Sequence, residues 1–192
     1  MRLWTIQPVG IWNLIQKEGV YRCDPDKNPD PFFFRAYDWL AGKMEERIGP
    51  PPEGIRFPVW AWYRQNGKHR KPDLRSERWC CGNSGGVYVC MEISIPPEKV
   101  VLSDFDEWHC VLNDCLISDT EEEDAAQDQF FTALSVSEQI AYKDRNWERI
   151  FNVRTFKNNW TSHGYWVQAT FWELRKEDVR KIRFFTTAKR SL

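Results

Sequence analysis

Apolar and polar positions change period several times along the chain, and each change marks an element. Arg2 to Ile6 reads as a first strand. Pro8 then opens a helix, a position that its fixed φ and missing N–H suit. Val9, Trp12 and Ile15 recur at helical spacing beside Ile11 and Leu14, and Gly19 provides a C-cap. Val20 to Cys23 is a short second strand, and the Asp- and Pro-rich stretch Cys23 to Pro31 is a loop. Phe33, Tyr37, Leu40, Met44 and Ile48 are spaced 4, 3, 4 and 4, which lays them along one stripe of a second helix. Gly49 and the run Pro50 to Pro52 end it.

Phe57 to Tyr63 reads as a strand, and Gln65 to Lys68 as a turn. In Val87 to Ile95 the residues Val87, Val89, Met91, Ile93 and Ile95 alternate with Tyr88, Cys90, Glu92 and Ser94, the clearest strand of all. Val100 to Ser103 is another short strand. Asp104 to Asn113 reads as a loop leading into a short helix. The acidic run Asp119 to Asp124 is a solvated loop or a first helical turn. Ser135 and Glu138 form a capping box for a helix that continues through Ile140, Trp147, Ile150 and Phe151. Trp166 to Leu174 is a strand with Trp166, Gln168, Thr170 and Trp172 on one face and Val167, Ala169 and Phe171 on the core side. Arg183 to Thr187 is the last strand. Strands at both ends with helices between them define an α+β class, and residues 1–192 suit one domain. The periodicities predict one continuous core containing Trp12, Tyr37, Leu40, Met91, Ile93 and Phe171.

Composition narrows the function classes. There are 27 Lys+Arg against 28 Asp+Glu, so bulk charge does not mark a nucleic-acid coat. No apolar run reaches the ~18 residues of a membrane span, and the N-terminus lacks a signal peptide's apolar core, so no membrane partner and a cytoplasmic location are expected. The six cysteines make no C-x-x-C pair. They are expected as free thiols without a structural metal, although His109 and His163 could add ligands to Cys110 and Cys115. The 11 Trp residues suit core packing or a stacking surface for bases or a nucleotide. No phosphate-binding loop, dinucleotide fingerprint, nucleophile elbow or zinc-protease signature is present. Asn83 to Gly86 is a turn whose N–H groups could cradle a phosphate, or a plain hairpin turn.

One segment is strongly basic. Lys68, Arg70, Lys71 and Arg75, with His69 and Arg78, lie between Trp60, Trp62 and Trp79. It is either a solvated loop or a contact for phosphate or nucleic acid. Arg2, Arg22 and Arg64 lie next to strand ends, where clefts form.

The segments Leu3–Pro8, Ala36–Leu40, Pro58–Arg64 and Val101–Asn113 resemble a bacterial family catalogued as domain-of-unknown-function family 3841, which carries no established activity. The order of elements also resembles the ADP-ribosyltransferase fold, particularly the DarT-like enzymes that modify nucleic acid. Leu3-Trp4-Thr5, the helix to Gly19, the Pro-aromatic strand ending at Arg64, and Trp166 to Thr170 carry this resemblance. It implies a split mixed sheet with flanking helices, NAD as substrate, and an acceptor that is a nucleic acid or protein, as in toxins and defence effectors. It places Arg2, Thr5, Tyr63 and Arg64 around the cofactor and Gln168 where those enzymes carry a catalytic Glu. A neutral Gln cannot act as a base. Glu173, five residues on, would reach the same face only through a bulge. The missing acid favours the alternative, a non-catalytic module that holds single-stranded nucleic acid or a peptide. The oligomeric state is left open.

Overall fold

The first strand of the chain forms the middle of a sheet. In the computed structural model, which describes residues 1–23, 30–75 and 85–187, β1 (Arg2–Pro8) pairs along its whole length with β4 (Gly86–Ser94). On its other side β1 meets β3 (Val59–Arg64) in register only at Trp4 opposite Trp62. β3 pairs with β6 (Val167–Phe171), β6 with β5 (Val101–Asp104), and β4 with β8 (Val179–Thr187). The order across the sheet is β5-β6-β3-β1-β4-β8. The α+β class is as expected, but every neighbouring pair is antiparallel rather than mixed. The strand-helix-strand opening is the unit that could have returned parallel, and it does not. After α1 (Val9–Glu18), β2 (Val20–Arg22) leaves the sheet and pairs with β7 (Glu173–Arg175) in a separate ribbon.

Local chemistry sets the helix ends. Gly19 closes α1 in the left-handed region at φ 78°, and its N–H donates to the Ile15 carbonyl. α2 (Phe34–Ile48) buries Ala36, Leu40 and Met44 on its apolar stripe. Asp104 caps α3 (Phe105–Leu112) by accepting from the Glu107 N–H, so the stretch expected as a loop is helical from Phe105 onward. The acidic run forms the first turn of α4 (Glu121–Thr132), where carboxylates face the positive end of the helix dipole. The capping box of Ser135 and Glu138 starts α5 (Val136–Asn146), and a 3-10 turn over Trp147–Phe151 follows.

The sheet separates two cores, where one continuous cluster was expected. On one face Leu3, Val59, Val89, Met91, Ile93, Ala169 and Phe171 pack under α1, with Ile15 buried and Trp12 beside it. On the other, Leu40, Met44, Trp108, Trp147, Ile150 and Trp172 join α2, α3 and the 3-10 turn, with Tyr37 at the edge. A smaller cluster of Trp4, Leu74 and Cys90 adjoins Ile6 and Phe185. It lies where the basic loop after β3 folds back across β1 and β4. Cys110 and Cys115 carry free thiols, while Cys80 and Cys81 lie outside the described residues.

Candidate functional site

β1 and β3 separate beyond the Trp4–Trp62 pair, and side chains take over from the ladder. The Thr5 hydroxyl, buried between the strands, donates to the Trp60 carbonyl at 2.8 Å and accepts from Gln7 Nε2 at 2.9 Å. The gap opens into a cleft of about 280 Å³ lined by Ile6, Gln7, Pro8, Trp60, Trp62, Tyr88 and Gln168. Its walls are aromatic. Trp60 lies 5.3 Å from Trp108 and Trp62 5.1 Å from Phe105, so α3 holds both indoles from behind. Tyr88 stacks on Phe185 at 5.9 Å.

The polar groups of the cleft are few, and one has no partner. Gln168 Oε1 is buried with no hydrogen-bond partner among the described residues. Ser103, directly opposite Gln168 on β5, also has a buried hydroxyl without a partner. A buried amide oxygen left unpaired costs about 1 to 3 kcal/mol, so a donor brought by a ligand would recover that penalty.

The residues expected to share a site divide between two ends of the sheet. Gln168 lines the cleft, and Thr5 is buried beside it, bonded to the lining residues Trp60 and Gln7. Arg2, Tyr63 and Arg64 lie at the opposite end of the β1–β3 pair, because the antiparallel register that sets Trp4 against Trp62 carries both segments away from Pro8. Arg2 lies over the Trp4 ring, and Tyr63 sits at a bulge against His69. The Arg64 guanidinium donates to the Val153 and Gly164 carbonyls at 2.8 and 2.7 Å, which makes it a structural tie. Glu173 is not on the Gln168 strand at all. The strand breaks at Trp172, whose indole N–H donates to the Gly49 carbonyl, and Glu173 pairs in β7 opposite Arg22. Its carboxylate takes hydrogen bonds from Arg22 and Arg175, and these arginines hold it below the usual carboxylate range against the opposing effect of burial. The face of Trp166, Gln168, Thr170 and Trp172 is therefore shared: Trp172 packs into the core under α2, and Gln168 opens to the cleft.

Lys68, Arg70, Lys71 and Arg75 are exposed, and Arg75 is paired with Asp73 at 2.7 Å. His69 packs on Trp4 at 5.2 Å, anchoring this loop to the face that carries the cleft. Arg78, Trp79, Asn83 and Ser84 lie outside the described residues.

A second polar group was not foreseen in the sequence, which offered His163 only as a companion to Cys110 and Cys115. Asp104, Glu107 and His163 are all buried and converge at the junction of β5 and α3. His163 Nδ1 lies 2.7 Å from Glu107 Oε1 and 3.9 Å from Asp104 Oδ2. Asp104 Oδ2 accepts from the Gly164 N–H at 2.6 Å. Burial raises the Glu107 carboxyl, and the hydrogen bond to Glu107 raises His163. His163 stands 56 residues beyond Glu107, in a loop that no periodicity marks.

The fold and cleft thus define an α+β protein built on an antiparallel sheet that splits beside its central strand. The chain belongs to the family described as domain of unknown function DUF3841, whose model matches residues 2–180. No curated protein and no solved structure matches it.

Proposed function

We propose that this protein is ADP-ribosyltransferase-like and takes the nicotinamide–ribose end of NAD in the cleft at the β1/β3 split. The observation that carries the reading is the Gln168 carbonyl oxygen, buried and without a hydrogen-bond partner among the described residues, in a cleft that Trp60 and Trp62 also line. Trp60, Trp62 and Tyr88 offer ring faces for a flat heterocycle. Gln168 Oε1 accepts from a ribose hydroxyl. The cleft's volume is at the low end for ligand pockets, which suits one ring and one sugar rather than a whole dinucleotide. The exposed Lys68, Arg70 and Lys71 cross the same face and supply phosphate contacts to a nucleic-acid acceptor.

A second reading, a non-catalytic module, is favoured by one specific feature: among the described residues no carboxylate lines the cleft. Breaking the nicotinamide–ribose bond develops positive charge on the ribose, and a neutral amide dipole stabilises it less than a carboxylate does. Two measurements separate the readings. Calorimetry with NAD is expected to show binding that weakens up to about tenfold in Gln168→Ala, the loss of one neutral hydrogen bond. Labelled NAD incubated with RNA, DNA and protein is expected to label one acceptor, with loss in Gln168→Ala. Binding without transfer selects the non-catalytic module. Absence of NAD binding removes both the cofactor and the transferase reading.

A further inference from the structure

The strongest feature outside the cleft is the group formed by Asp104, Glu107 and His163. Two carboxylates and one imidazole buried together carry a net negative charge even when the imidazole is protonated. Burying unbalanced charge is costly, and in folded proteins such charges are paired or coordinate metals. One ligating atom from each of the three residues lies within 4.8 Å of the other two. Glu107 Oε2 is buried and has no hydrogen-bond partner among the described residues, which leave half of this carboxylate unused. Two cations line the adjoining wall: Arg149, which bonds Glu123 at 2.6 and 3.2 Å and Asp119 at 2.6 Å, and the exposed Arg154.

The surroundings of His163 fit a ligand as well. Its Nδ1 points into the group. Its Nε2 is buried without a hydrogen-bond partner among the described residues, and Asn152 lines the same cavity as His163. Metal-bound imidazoles characteristically place one nitrogen on the cation and the other N–H on a carbonyl or carboxylate. The group also has space beside it, since Glu107 and His163 line a cavity of about 510 Å³.

We propose that Asp104, Glu107 and His163 form a divalent-cation site, with Asp104 Oδ2, a Glu107 carboxylate oxygen and His163 Nδ1 as ligands and water filling the remaining positions. Mixed oxygen and imidazole donors suit cations of the Mn²⁺ or Zn²⁺ kind. The site is separate from the cleft and does not depend on NAD. It joins the start of α3 to the loop around Gly164, so its occupancy bears on stability. Cysteine spacing gave the expectation of no metal, and these residues contain no cysteine.

The test is calorimetric titration of the full, chelator-stripped chain with Mn²⁺, which avoids thiolates, and separately with Zn²⁺. One Mn²⁺ per chain is expected. Glu107→Gln and His163→Gln are expected to weaken it at least tenfold, while Asp106→Asn stays within about twofold. Mn²⁺ is also expected to broaden the amide NMR signals of Glu107, His163 and Gly164 in the unaltered protein before others. That second measurement decides the matter if a variant fails to fold. Absence of saturable Mn²⁺ binding, broadening centred elsewhere, or a folded Glu107→Gln that binds as tightly as the unaltered chain would overturn the site.

Discussion

At Gly164 the backbone sits at φ +71°, and a Cβ would stand 2.6 Å from the Arg154 carbonyl oxygen. Its N–H and carbonyl are also engaged, by Asp104 and Arg64. No side chain fits there without moving main chain. Gly164→Ala is expected to destabilise the protein by about 1 to 3 kcal/mol, read as a shifted urea midpoint with unchanged slope. Cys110 and Cys115 differ by the same logic of surroundings. Burial pushes the Cys110 thiol up to about 11, whereas Cys115 is exposed. Since the thiolate is the reacting species, iodoacetamide at pH 8 should modify Cys115 well before Cys110, measured by peptide mass spectrometry. Equal rates would mean that α3 frays enough to expose Cys110.

α4 is tied to the 3-10 turn by Glu123 and Arg149. Hydrogen bonding from Arg149 holds the Glu123 carboxyl below its usual range. The unfolded chain therefore takes up the proton more readily. The stability this gives is present above the ordinary carboxylate range and is lost as pH falls through the folded value. Glu123→Gln is expected to be less stable than the unaltered protein at pH 7, with the gap closing below about pH 4. A gap independent of pH would assign the loss to packing. Most elements were legible because their signals are local. The stripe from Tyr37 to Ile48, the alternation in β4, Gly19 and the Ser135–Glu138 box each act within a few residues. What the sequence hid is non-local. The break at Trp172 depends on Gly49, 123 residues away, accepting its indole N–H. The departure of β2 from the sheet depends on β7. For the same reason Arg64 and Glu173 could not be assigned their structural partners from the sequence.

Across the whole molecule the sheet works as a partition, with Leu40 buried on one face and Met91 on the other. Leu40→Ala and Met91→Ala should each cost about 2 to 5 kcal/mol. Because the two sites share no partners, the double variant should lose the sum within about 0.5 kcal/mol, measured by chemical unfolding. A strongly non-additive result would mean that the cores repack together through the strands. The central place of β1 has a further effect, on time rather than on energy. β1 is made before its partners and waits for β4 before most of its backbone can pair, and β3 must wait for Val167–Phe171 before β6 closes on it. Until then Leu3, Trp4 and Ile6 stay without their cover. Contacts between such distant parts of the chain are slow to close, which puts folding in the millisecond-to-second range of strand-dominated domains rather than the microseconds of helical bundles. The nascent amino-terminal half is accordingly the stretch that most needs protection from aggregation while the rest of the chain is made.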